Sequence, residues 1–528
     1  AARDDGPQTV LAVVGTSLSS PNCSAALKCP SLNREGCGRT SGECGVCKAG
    51  FIGDYGERSQ LCMPVSFAAP KYASSCNSDR DCSAWHTCDT TSTPKVCVTP
   101  LKACAKGCSG HGYCIFSSRT TGAVRSSCRL VDADCDAVCA CSDRYWGDFC
   151  ELSDPALRSR RAVRSQLVAL LQEVTAAENV SPESIASWSD SLYALSALPH
   201  ELSQSDISVV ETIANMTLQY AMSLEMPNYA DMSGVLQATD AVISLLTYNY
   251  NPHDYNKSDT VQFTNNTAAV TIRTVSAYAD LVAQSMVPGQ AAADFVYEHF
   301  RLSVSVSDSG SSDFGAVVPQ SAVEALTMTG PSTVTVTPTN ATRRRDGVVV
   351  TKVMSVYPRT YRPDTAVFAS NPLVLQITPQ LSDGESSASD DYLSSVEFTL
   401  QNFEPRTEYV VLNPKNVTTV CTLLNLGQNF TRACSDSGAL VHHNCTTRGV
   451  MVSFCPVPAP ACARLHTDTA QFTFLDNCEV LSYDAQQTTC RCTLSNSTTT
   501  SSGRNSRRLQ LVTTPTESLQ LNGAGVTA

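Results

Sequence analysis

Cys139-Ala140-Cys141-Ser142-Asp143-Arg144-Tyr145-Trp146-Gly147-Asp148-Phe149-Cys150 places three cysteines in twelve residues, with an aromatic-Gly turn inside the last loop. So short a segment cannot bury a core of its own, and covalent staples must hold its fold. The same composition extends upstream. Eighteen of the 26 cysteines lie between Cys23 and Cys150, none between residues 151 and 420, and eight between Cys421 and Cys492. Both groups are even, so each can pair fully within itself. Thiols in such number persist as disulfides only outside a reducing cytosol, which sets the compartment as extracellular or cell surface, reached by the secretory pathway. Zinc is the competing reading of a cysteine cluster, but the spacings do not repeat as paired CxxC knuckles and the chain has only eight His.

Working outward, 528 residues is about three times a typical domain. Charged residues are 16% of the chain, against about 25% in ordinary soluble domains. The net charge of −12 and the scattering of the 37 Lys and Arg, apart from Arg158–Arg161 and Arg343–Arg345, argue against nucleic acid as a partner. Ten N-x-Ser/Thr sequons, at Asn22, Asn179, Asn215, Asn256, Asn265, Asn340, Asn416, Asn429, Asn444 and Asn496, make N-linked glycans an expected modification. No signal peptide is visible at Ala1 and no run of about 20 apolar residues occurs, which fits either a secreted protein with its leader removed or a trimmed ectodomain.

The pattern changes along the chain. Residues 1–22 form a lead-in with one apolar stretch at Leu11–Val14, and 23–100 hold small cysteine-rich modules, the second carrying Cys76, Cys82, Cys88 and Cys97. From 152 to 290 the apolar period is helical: Leu157, Val163, Leu167, Leu170, Leu171 and Val174 share a stripe, and Ser181-Pro182-Glu183-Ser184 reads as the start of a second helix. Further helices are expected at 204–224, 231–248 and 266–286. Arg158-Ser159-Arg160-Arg161 has the form of a basic processing site, yet the apolar positions beginning in the same segment favour a solvated first helical turn after Asp154-Pro155. After Pro288-Gly289 the alternation becomes two-residue, with strands expected at 302–306, 333–336, 348–353, 373–377, 396–400 and 450–454, a spacing that argues a β-sandwich over 291–495. Residues 496–528 read as a Ser/Thr-rich tail or linker.

Residues 101–151 carry a resemblance. Cys104-x3-Cys108-Ser-Gly-His-Gly-Tyr-Cys114 opens the unit, and the C-x-C-x8-C spacing of Cys139, Cys141 and Cys150 closes it. This resembles an EGF-like domain, and the resemblance implies the pairs Cys104–Cys114, Cys108–Cys139 and Cys141–Cys150. Cys128 and Cys135 sit in an insertion and are expected to pair with each other. Lys102-Ala103 stands where calcium-binding members of that family carry an acidic signature, so no calcium is expected there.

A helical bundle followed by a cysteine-stapled sandwich is similar to the GAIN domain of adhesion receptors and polycystin-1-like proteins. The match is carried by Asn371-Pro372-Leu373-Val374-Leu375 and by Asn477-Cys478-Glu479-Val480 followed by Thr488-Thr489-Cys490-Arg491-Cys492-Thr493-Leu494-Ser495. Family members can cleave themselves when a Ser or Thr hydroxyl attacks the preceding carbonyl, with a His two residues before it as base. Here Ser495 would attack after Leu494, but Thr493 holds the place of the His, so an uncleaved, structural motif is expected. His442-His443 reads as solvated polar surface beside Cys445 rather than as a metal site. No Gly-x-Ser-x-Gly elbow or phosphate loop is present.

These readings describe a multidomain protein of small disulfide-rich EGF-like modules, an α-helical bundle and an all-β sandwich stapled by disulfides. The expected function is non-enzymatic adhesion, recognition or reception at the cell surface, with other extracellular proteins or copies of the chain itself as partners. A structural subunit of an extracellular matrix or of a surface filament such as a flagellar hair is the alternative. No metal, cofactor or small-molecule substrate is expected.

Overall fold

The computed structural model describes residues 21–248, 265–493 and 511–518 apart from short stretches, the longest of which are 339–346, 357–372, 382–392 and 403–414. Leu11–Val14, Asn256, Asn340, Arg343–Arg345, Asn371-Pro372, Asn477, Leu494, Ser495 and Asn496 lie outside the described residues. The order of architecture is the one expected: disulfide-rich modules, helices, then β-sheets with disulfides.

The N-terminal modules have little core. Their apolar cluster among the described residues is Ile52, Met63 and Leu130, with Val65 and Val131 partly buried against it. Staples and buried hydrogen bonds supply the rest. Cys23–Cys37, Cys29–Cys44 and Cys47–Cys62 close the first unit, and Cys76–Cys88 and Cys82–Cys97 the second. Arg34 is fully buried and donates Nε–H to the Gln60 carbonyl at 2.6 Å and its two terminal nitrogens to the carbonyls of Gly45 at 3.0 Å and Asp54 at 3.1 Å. In the third unit a short antiparallel sheet places Val124–Arg125, Gly112–Ser118 and Cys135–Cys141 side by side.

Among the described residues these α-helices follow: α1 Asp154–Ala177, α2 Pro182–Ser196, α3 Gln204–Ser223, α4 Ser233–Tyr248 and α5 Asn265–Gln284. Pro155 and Pro182 sit at first-turn positions, where a missing N–H costs nothing. Ser181 and Ser184 close a capping box on α2, and Ser203 and Asp206 do so on α3. Gly234 is required by close approach, since a Cβ there would lie 2.3 Å from the Ser189 carbonyl oxygen of α2.

Among the described residues of the β region the strands are β1 Ala293–Val296, β2 Phe300–Asp308, β3 Ala316–Val317, β4 Thr333–Pro338, β5 Gly347–Val356, β6 Leu373–Leu381, β7 Leu393–Gln401, β8 Asn416–Cys421, β9 Asn429–Ala433, β10 Leu440–Asn444, β11 Gly449–Phe454, β12 Ala459–His466, β13 Gln471–Phe474, β14 Cys478–Tyr483, β15 Gln487–Thr493 and β16 Leu511–Ser518. One sheet runs β1-β2-β5-β6-β16-β12-β13 and the other β3-β4-β7-β15-β14. Strand β16, within the stretch read from sequence as a tail, pairs Val512 with Val374 and Thr513 to Ser518 with β12.

Period-two alternation gives β5 two buried faces. Val350 and Met354 join a core with the helices, which includes Trp188, Ile213, Val275, Tyr278, Phe300, Leu302 and Val374. Val349 and Val353 face the other way, into a core with Val336, Leu375, Val396 and Phe398 between the two sheets. A Lys352–Asp280 ion pair ties β5 to α5 on the helical side. Helices and sandwich therefore share one of their two cores.

Candidate functional site

The cysteines are all paired, and the structure has no free thiol. It joins Cys104 to Cys114, Cys108 to Cys139, Cys141 to Cys150 and Cys128 to Cys135. Near the C-terminus Cys478 meets Cys492 across β14 and β15, while Cys490 reaches Cys462 on β12 and so links the two sheets. Sulfurs of Cys76, Cys82 and Cys97, of Cys104, Cys108 and Cys139, and of Cys128 and Cys135 with the Asp132 carboxylate cluster closely, but every one of those sulfurs is in a disulfide and offers no thiolate to a metal. Lys102 is buried, and its ammonium donates to the carbonyls of Asp132 at 2.8 Å and Cys135 at 2.6 Å.

The basic run Arg158–Arg161 lies at the start of α1, as read from the sequence, with Arg158 and Arg160 exposed, and it also makes contacts across the bundle. Arg160 bonds Glu201 at 2.7 Å, and the buried Arg164 one turn on bonds the same carboxylate at 2.7 and 3.0 Å. Arg161 donates to the His200 carbonyl and lies 6.0 Å over the Trp146 ring, whose indole N–H bonds Asp154. The start of α1 thus clamps the last loop of the third disulfide unit. Burial pushes the Glu201 carboxyl up, but Arg164 and Arg160 outweigh it and hold the group below its ordinary range.

Residues 416–455 form a separate stapled module of two antiparallel strand pairs, the β9–β10 hairpin and the pair β8–β11 that flanks it in sequence, closed by Cys421–Cys445 and Cys434–Cys455. Its centre is His443, which is buried, not solvated: Nδ1 meets Thr419 Oγ1 and Nε2 meets Ser453 Oγ, each at 2.8 Å. His442 is exposed, 3.0 Å from Thr431. The sequence signal was Cys445. A half-cystine faces inward, and the strand period puts His443, two residues earlier, on the same side.

The sequons divide by surroundings. Asn22, Asn179, Asn416, Asn429 and Asn444 are exposed. Asn215 is engaged between helices: its amide donates to Glu211 O at 3.1 Å, its Oδ1 accepts from Thr274 of α5 at 3.3 Å, and Thr217 of the same sequon is buried. Asn265 is the first residue of α5.

Two small cavities, each with room for about one water, lie in the body. One is lined by Val275, Leu302, Lys352 and Met354; the other, between α3, α4 and α5, by Glu211, Thr239, Val242 and Thr271. Burial raises the Glu211 carboxyl to about 7, with Arg273 opposing.

No protein-family model and no curated protein matches the sequence. Among solved structures, the chain is similar to the full extracellular region of zebrafish Gpr126/Adgrg6, with 11% identity and a TM-score of 0.31, covering 60% of this chain and 35% of that one. The protein is an extracellular or secreted type of multidomain chain, on the strength of thirteen disulfides with no free cysteine. No helix among the described residues is long and apolar enough to cross a membrane.

Proposed function

We propose that the chain is a non-enzymatic ectodomain for adhesion or recognition, in which an EGF-like module at 104–150 and the two stapled units before it are presented by a GAIN-like body. The observation that carries this reading is the clamp that Asp154 and Arg161 of the bundle place on Trp146, in a bundle that itself shares a core with the sandwich. Such bracing limits movement at a module junction and pre-organises the N-terminal surface for a protein partner. Partners are other extracellular proteins or further copies of the chain.

The test is binding of secreted full-length chain, and of a chain lacking residues 23–150, to cells and to itself. Loss of cell binding on deletion supports the reading; binding only between copies, with or without the modules, supports an assembly subunit instead. Intact-mass measurement on the same material covers the chemistry at Leu494-Ser495. General-base assistance is worth about 10²–10⁴ in rate, and Thr493 cannot supply it near neutral pH. The bond should stay whole, and a new N-terminus at Ser495 would overturn the non-cleaving reading.

A further inference from the structure

The outward face of the β8–β11 strand pair carries a row of apolar side chains that, among the described residues, is largely exposed. Register places Asn416 opposite Phe454, Thr418 opposite Val452 and Val420 opposite Val450, and paired residues of an antiparallel ladder point to the same side. Phe454 is 65% exposed, Val420 59% and Val450 50%. The other side of the same ladder carries Thr419 and Ser453, which hold the buried His443. This face is therefore fixed by the alternation, and the staples Cys421–Cys445 and Cys434–Cys455 hold it. Apolar surface left rigidly open on a secreted protein invites association.

The residue opposite Phe454 is the acceptor of the sequon Asn416-Val417-Thr418, and the sequon's Thr is the next outward side chain on the strand. Directly opposed side chains in such a ladder have Cβ atoms about 4.5–5.5 Å apart. A sugar joined to Asn416 Nδ2 starts beside the ring, and the row from Asn416 to Val420 is roughly 14 Å long at 3.4 Å per residue. We infer that Asn416 carries an N-linked glycan whose first sugars lie on Phe454 and extend toward Val452 and Val450, covering this face. In forming it, the Asn416 amide nitrogen bonds the anomeric carbon of a lipid-diphosphate-linked oligosaccharide, the carbon–oxygen bond to the diphosphate breaks, the lipid diphosphate leaves, and one amide proton is lost. The C–H faces of the sugar ring meet the aromatic face, and its hydroxyls turn to water. Asn429 and Asn444, which oppose each other on β9 and β10, belong to the other strand pair and serve as controls.

The inference rests on the extracellular reading, and the experiment separates the two. Full-length chain from a glycosylating secretory host is mapped by glycopeptide mass, then footprinted with hydroxyl radicals before and after enzymatic glycan removal from the folded protein. Asn416 should be occupied, and oxidation of Phe454 should rise several-fold on removal. In parallel, Asn416→Gln should bind several-fold more of an apolar fluorescent dye than Asn429→Gln, and adding Phe454→Ser to Asn416→Gln should reverse the gain. An unmodified Asn416 beside occupied Asn429, or Phe454 oxidation unchanged by glycan removal, overturns the cover and leaves the compartment standing. Protein from its native source with no glycan at any exposed sequon overturns both.

Discussion

At the residue scale, two carboxylates are set apart by what surrounds them. Glu201 meets two guanidinium groups, so Glu201→Ala strands the buried Arg164 and should cost about 3–5 kcal/mol near neutral pH, read by urea unfolding followed with circular dichroism. Its folded carboxyl is held low. The stabilisation is therefore complete above the unfolded value, near 4.3, and fades as pH falls through the folded one, so variant and wild type should converge in acid. Glu211 is the opposite case, raised to about 7 by burial, with one carboxylate oxygen that has no hydrogen-bond partner among the described residues. Between the unfolded value and about 7 the folded state holds the extra proton, so stability falls as pH rises across that window. Glu211→Gln should raise the melting temperature at pH about 8 and leave it nearly unchanged at pH about 3, where both states are protonated. Neither role was legible in the sequence, because a Glu on a helix reads alike whether it meets Arg164 or a closed cavity.

At the element scale, short-range signals placed the helices and some of the strands, while strands such as β8, β12 and β16 went unread. Ser181-Pro182-Glu183-Ser184 does start α2 with a capping box, and the two-residue alternation of Leu302–Val306 does form a strand. Sequons are also local patterns, yet their accessibility is not. Asn215-Met216-Thr217 lies in α3 with its Asn bonded toward α5, and a glycan there would part the helices. Glycopeptide mapping should find Asn215 bare where Asn429 is occupied. In the third disulfide unit, Cys108–Cys139 spans 31 residues and pins the start of the unit to its long strand. Replacing both by Ser should destabilise the unit by about 2–5 kcal/mol, seen as loss of hydrogen-exchange protection across 104–150 while α2 and α3 keep theirs.

At the scale of the whole molecule, the shared core makes the bundle and the first sheet cooperative. Phe300 on β2 is fully buried in the cluster that also holds Trp188 and Tyr278. Phe300→Ala should cost about 3–5 kcal/mol and lower the helical and sheet transitions together; a helical transition that stays put would show the two unfold separately. Periodicity alone determined that helices follow Cys150 and that strands follow the helices, because backbone sterics and side-chain alternation act within a few residues. Val348-Val349-Val350 showed a strand, but not that its two faces enter different cores. Likewise, nothing local told that His443 would sit between two hydroxyls, or that Leu511–Ser518 would enter the sheet beside β6 and β12. Only the tertiary structure decided these, because a side chain's burial and partners depend on segments tens to hundreds of residues away that the chain brings beside it.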